Sequence, residues 1–181
     1  MSIRIKYFTH GTTTDNICGL ATGWNEGELS PLGIQQIQGI NKQVQDEHFD
    51  VVISSDLQRA VQTTKLLFNE ENTTIIYDQR LRECNYGVLN GKDKELVDYL
   101  EHIDEPFING ESMRHVEQRI RELLHFLQEN YDHAYIAFVG HRAPQLALEV
   151  CVHGKSWEEA IHNDWRTIGK WQLGWLYEFE K

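Results

Sequence analysis

At 181 residues, with 40% hydrophobic and 25% charged side chains, the chain is long enough for one domain with a full core and is ordinary for a globular protein. A formal net charge of −11 argues against a partner rich in phosphate backbone or an anionic membrane surface, so nucleic acid and membrane are set aside. Three well-separated cysteines (Cys18, Cys84, Cys151), no apolar leader and no run approaching about 18 apolar residues make a reducing, cytoplasmic location the expectation.

Ile3, Ile5 and Tyr7 alternate and are followed by Phe8, which predicts a strand that breaks at His10-Gly11. Gly11 is expected to let the backbone turn, and the loop behind it offers backbone N–H groups and the hydroxyls of Thr12, Thr13 and Thr14. Residues 23–28 read as turn-rich. Ser30-Pro31 predicts a helix start, Ser as N-cap and Pro at the first helical position, with Ile34, Ile37 and Val44 as its apolar stripe. Residues 51–53 suit a buried parallel strand, after which Asp56 is expected to cap a helix carrying Leu57, Ala60, Val61, Thr64, Leu67 and Phe68.

A third strand is predicted over 73–77, a loop over 81–91 and a helix over 92–100. Ser112 opens a longer helix whose core face is Val116, Ile120, Leu123, Leu124 and Leu127. The strongest strand signal, 134–139, runs into Gly140-His141-Arg142-Ala143, and Pro144 opens another helix. A short helix is expected over 157–162 and an aromatic edge strand over 171–179. Trp165, Trp171, Trp175 and Tyr177 read as edge-strand core, with a pocket wall or a homodimer contact as the lesser reading.

Strands alternating with helices imply an α/β fold, a three-layer sandwich with a mostly parallel central sheet and helices on both faces, in one domain over 1–181. Ligands bind at the carboxyl edge of such a sheet, where His10, Arg59, Glu83 and His141 are all expected. Two histidines, an arginine and a glutamate have a joint chemical use there. One imidazole attacks phosphorus in line, the cations hold the equatorial oxygens, and the carboxylic acid protonates the leaving oxygen. The remaining histidines (His102, His115, His125, His133, His153, His162) show no ligand spacing, and no glycine-rich nucleotide loop is present, so neither metal nor cofactor is expected.

Six ordered blocks resemble the histidine phosphatase superfamily, also called the phosphoglycerate mutase-like family. They are Thr9-His10-Gly11 followed by Thr13 and Asn16, Leu29 to Gln36, Ser54 to Thr63, Leu81-Arg82-Glu83 through Gly87 to Gly91, Gly110-Glu111-Ser112, and His141. The resemblance implies His10 as nucleophile, Arg59 as phosphate clamp, His141 as donor to the transferring phosphoryl group and Glu83 as general acid. It also implies a phosphate-binding loop of Gly11, Thr13 and Asn16.

The chain departs from the pattern in two places. The family's arginine before the first histidine is Thr9 here, and the residue after the second histidine is Arg142. Arg142 has two readings: restoration of the missing positive charge from across the pocket, or a plain surface ion pair. The resemblance implies a phosphomonoester hydrolase acting on a small phosphorylated metabolite through a phosphohistidine, with a small-molecule phosphate ester as partner. A phosphoglycerate-type mutase is the alternative, although such mutases resemble longer chains with extra insertions. A non-catalytic phospho-ligand or protein binder is the other, supported by Thr9. Residues 92–109 are expected to form an acidic lid, a composition that either disfavours strongly polyanionic substrates or is simply a solvated helix face.

Overall fold

Alternation along the first strand sorts its side chains between two layers. In β1 (Ser2–Thr9), Ile3, Ile5 and Tyr7 join one buried cluster and Phe8 joins another on the opposite face. The computed structural model describes residues 2–168 and 174–180, and the same parity recurs through its sheet. After a helical turn, α1 (Thr14–Ile17), and the short β2 (Leu20–Ala21), α2 (Pro31–Gln45) starts as expected, Ser30 accepting from Gly33 N with Pro31 at the first position. Its buried stripe is Gly33, Ile37 and Val44, while Ile34 is 37% exposed because it lies about 60° around the helix from Ile37.

Next come β3 (Val51–Ser54), α3 (Gln58–Leu67), β4 (Ile75–Tyr77), β5 (Lys92–Asp93), α4 (Met113–Asn130) and β6 (Tyr135–Gly140). The chain continues with α5 (Arg142–His153), α6 (Trp157–His162), the turn α7 (Trp165–Ile168) and β7 (Trp175–Glu180). The main sheet has the order β4-β3-β6-β1-β7, parallel throughout except for β7, which runs antiparallel to β1. Val52, Ala137 and Val139 face α2 and α3, packing with Ile37, Ala60 and Leu67. Val51, Ile53, Ile136 and Phe138 face the other way, onto Val116, Ile120, Leu123 and Leu127 of α4, Leu146 and Val150 of α5, and Trp157 of α6. Each large apolar side chain so buried contributes about 1.5–3 kcal/mol. The expected three-layer α/β architecture is what the structure shows.

Two local expectations fail. Residues 92–100 are not a helix: Lys92 and Asp93 pair with Ala21 and Leu20 as β5, and a 3₁₀ turn follows at Lys94–Leu96. Asp93 accepts from Glu95 N and Asp98 from Leu100 N, side-chain turns that compete with the helical backbone pattern. The chain from there to residue 107 instead buries Tyr99, Ile103 and Phe107 in the core. Asp56 does not cap α3, whose N-cap is Leu57 without a side-chain bond; both Asp56 oxygens are taken by Arg82, at 2.7 and 2.6 Å.

Candidate active site

The sheet order creates the site. From β3 the chain moves outward to β4 and then returns through β6, which inserts between β3 and β1. The carboxyl ends of β1, β3 and β6 therefore lie side by side at a point where strand order reverses, where open α/β sheets bind ligands. Backbone bonds lock the three ends together: His10 N donates to Gly140 O at 3.1 Å and Ser55 N to Val139 O at 2.9 Å. The His10 and His141 rings consequently face each other with centroids 5.0 Å apart.

His10 is held by its own loop. Its Nδ1 is 2.7 Å from the Gly11 carbonyl, which can only accept, so the proton sits on Nδ1 and the lone pair on Nε2. Burial first, and then the Arg59 guanidinium, push its pKa down to about 3, so the imidazole is neutral near pH 7. A neutral imidazole with a free Nε2 lone pair is a nucleophile.

His141 is completely buried at the N-cap of α5. Its backbone N–H donates to the Tyr7 hydroxyl, and that hydroxyl donates to the His141 carbonyl, both at 2.8 Å. Its Nε2 is 2.9 Å from Ser55 Oγ, which already accepts from Leu57 N at 3.3 Å. That hydroxyl can donate to Nε2 or accept from it, and Nδ1 has no partner among the described residues. Burial, followed by Arg59 and His10, lowers the His141 pKa well below its ordinary value.

Glu83 meets the start of α5. One carboxylate oxygen accepts from Cys84 N at 2.9 Å and Ala143 N at 3.0 Å, the other from Arg142 N at 3.1 Å. Free backbone donors and the positive end of the helix favour an acidic side chain there. The Glu83 carbonyl is pinned by Trp24 Nε1 at 2.6 Å and Arg119 Nη2 at 3.0 Å. Tyr99 donates to Glu83 at 3.4 Å and meets the Tyr86 hydroxyl at 2.7 Å. Arg59, 2% exposed in the first turn of α3, donates to the Gly23 carbonyl at 2.8 Å and the Asn25 carbonyl at 3.4 Å.

His10, Arg59, Glu83 and His141 all line one cavity of about 730 Å³, joined by Asn16 and Arg142. Gly11 and Thr13 do not. The Gly11 N–H is spent on Thr63 Oγ1 at 3.2 Å, and the glycine is needed for close approach: a Cβ there would lie 2.8 Å from the Gly33 carbonyl. Thr13 is buried and caps α1, accepting from Asn16 N. Asn16 returns the bond by accepting from Thr13 N, which leaves its NH₂ to offer to the cavity. Thr9 lines the cavity beside His10.

Arg142 reaches the cavity wall, where its Nε donates to Asp164 at 2.6 Å and its guanidinium lies 4.5 Å over the Tyr99 ring. Sequence reasoning did not single out Tyr86, Tyr99, Ser55, Asp164 or Arg166. The signal available for the last two was a charged pair, Asp164 and Arg166, inside an otherwise aromatic tail. That tail divides: Trp175 and Tyr177 sit on β7 as expected, whereas Trp165 belongs to α7 and lines the cavity, and Trp171 lies outside the described residues.

The sequence profile of the histidine phosphatase superfamily (branch 1) matches residues 8–170. The chain belongs to the histidine phosphatase superfamily. Superfamily relatives include a 2,3-bisphosphoglycerate-dependent phosphoglycerate mutase of Cytophaga hutchinsonii, 29% identical over 175 residues that cover 87% of this chain and 81% of the relative. Phosphoserine phosphatase 1 of Hydrogenobacter thermophilus is 25% identical over 162 residues, covering 84% and 77%. The crystal structure of the α-ribazole phosphatase from Shigella flexneri shares the fold, with a TM-score of 0.77 and 24% identity over 88% of this chain and 84% of that one. This histidine phosphatase superfamily member thus sits among both phosphatases and mutases.

Proposed function

We propose that the chain is a phosphomonoester phosphatase that acts on a small phosphorylated metabolite through a phosphohistidine at His10, with no metal needed to supply the nucleophile. One observation carries the reading: the His10 tautomer is fixed by Gly11 with Nε2 free, beside Arg59 and His141 and in one cavity with Glu83. The Nε2 lone pair forms a bond to phosphorus as the P–O bond to the leaving group breaks. Glu83, as the carboxylic acid, gives its proton to that leaving oxygen. Arg59 and His141 carry the charge of the phosphoryl oxygens. The resulting Glu83 carboxylate then takes a proton from water as the water oxygen attacks phosphorus, and the N–P bond breaks back to neutral His10.

A phosphoglycerate-type mutase is the second reading, favoured by the similarity to the Cytophaga mutase across most of the chain. The experiment is turnover of a broad phosphomonoester panel with a chelator present, wild type against His10→Ala. Chelator-resistant release of phosphate that vanishes in the variant supports the phosphatase. Phosphate transfer to 3-phosphoglycerate that requires a bisphosphorylated primer, with no release to water, supports the mutase and refutes hydrolysis.

A further inference from the structure

A wall of the cavity holds a charge cluster that the phosphoryl chemistry does not use. Asp164, with a fully buried side chain, accepts from two guanidiniums: Arg142 Nε at 2.6 Å on one oxygen and Arg166 Nη1 at 2.9 Å on the other. The Arg166 backbone N–H adds a third bond at 3.1 Å, and Arg166 Nη1 also donates to Gln145 at 3.1 Å. One carboxylate against two guanidiniums leaves a net positive charge at this wall. Among the described residues, both Nη groups of Arg142 and the Nη2 of Arg166 have no hydrogen-bond partner. Each guanidinium is braced by an aromatic face, Arg142 at 4.5 Å from Tyr99 and Arg166 at 4.6 Å from Trp165, so the forks are held in place before any ligand arrives. Both arginines line the cavity that contains His10.

We propose that Arg142 and Arg166, joined through Asp164, form a second anion subsite that takes a carboxylate or second phosphate carried by the substrate's phosphomonoester skeleton. The inference rests on the reading that this cavity receives a phosphomonoester, and it deepens that reading by naming the substrate class. It gives Arg142 a partner, Asp164, and a task distinct from the phosphoryl clamp at Arg59, which is engaged with Gly23 and Asn25. Two forks with unspent N–H donors suit a planar carboxylate or a phosphate. Of the acidic segment 92–109, only Glu95 lines the cavity, where Lys94 accompanies it; the other carboxylates face solvent and do not oppose a second anion. Glu83, the remaining acidic group of the lining, is bound by backbone N–H groups.

The test is calorimetric titration with phosphonates, which have no P–O ester bond to break, so that binding is read without turnover. Phosphonoacetate, 3-phosphonopropionate and methylenediphosphonate are compared with ethylphosphonate. The subsite predicts that wild type binds at least one of the first three about fivefold or more tighter than ethylphosphonate, consistent with charge-assisted hydrogen bonds. Preference for the carboxylates or for the bisphosphonate tells which second anion is taken. Arg166→Gln should abolish most of that ratio, and Arg166→Lys, which keeps the charge but loses the fork, should retain part of it. A smaller ratio in the wild type, no binding of any probe, or a ratio that survives Arg166→Gln would overturn the subsite. Preference without hydrolysis of any ester keeps the subsite and removes the phosphatase reading; hydrolysis without preference does the reverse.

Discussion

Gly140→Ala is a small substitution that bears directly on how His141 is held. A Cβ at Gly140 would lie 2.3 Å from the Tyr7 hydroxyl oxygen and 3.1 Å from the ring carbon that bears it. Tyr7 cannot swing aside, because it is fully buried and packs edge-on against Phe138 with ring centroids 6.3 Å apart. The hydroxyl must therefore leave its place, and with it go the bond that satisfies the His141 N–H and one of the two that the His141 carbonyl accepts, the other coming from Gln145 N at 3.4 Å. Overpacking costs about 1–3 kcal/mol and stranding buried backbone groups about 1–3 kcal/mol, so the variant should lose roughly 3–5 kcal/mol.

Tyr7→Phe alone strands the His141 N–H without the clash and should cost roughly 1–3 kcal/mol. In the double variant the nearest obstacle recedes to the ring carbon, and the total should stay near roughly 3–4 kcal/mol rather than the sum of the two. Urea unfolding with midpoint and slope determined for all four proteins measures this. Additivity within about 0.5 kcal/mol, or a Gly140→Ala protein as stable as wild type, would refute the account of how His141 is held.

Three further outcomes follow from the site. Glu83→Gln should slow hydrolysis of alkyl phosphates by about 10²–10⁴-fold, read as steady-state phosphate release; turnover within tenfold of wild type would exclude Glu83 as the acid. His10 is held neutral down to about pH 3, whereas in the unfolded chain it takes up its proton near its ordinary value of 6.5, so the folded state loses stability as pH falls between those limits. His10→Gln should therefore lose roughly 1–2 kcal/mol less than wild type between pH 7 and pH 4.5 in denaturant titrations, and parallel acid profiles would contradict it. Asp164→Asn withdraws the only carboxylate on Arg142 and Arg166 among the described residues and should cost roughly 2–4 kcal/mol by thermal unfolding; a neutral change would show the cluster to be dispensable.

The fold was legible wherever side-chain period and cap chemistry agree. Ile3, Ile5 and Tyr7 announce which face of β1 is buried, and Ser30 and Ser112 open α2 and α4 at the positions their hydroxyls dictate. Topology then brought His10, Arg59, Glu83 and His141 together, because each follows a strand or begins the helix after one. What stayed hidden depends on partners distant in sequence. Asp56 has the right chemistry to cap α3, and nothing local says that Arg82 will take both of its oxygens.

Thr13 illustrates the same limit at shorter range, since a hydroxyl that can bind phosphate can equally cap a helix. Residues 92–100 carry apolar side chains at helix-like spacing, but Asp93 and Asp98 close local turns and Tyr99 is drawn into the core. The Arg142–Asp164–Arg166 cluster links α5 to α7 across the cavity wall, a pairing that no periodicity encodes.

Chemical trapping of the covalent intermediate tests the central claim most directly. Enzyme mixed with a radiolabelled phosphomonoester that it turns over, and quenched in alkali within the first turnover, should carry one acid-labile, alkali-stable label per chain. Peptide mapping should place that label on His10, with none on His10→Ala. Label on any other residue, or phosphate released with no phosphoenzyme at any quench time, would contradict the account.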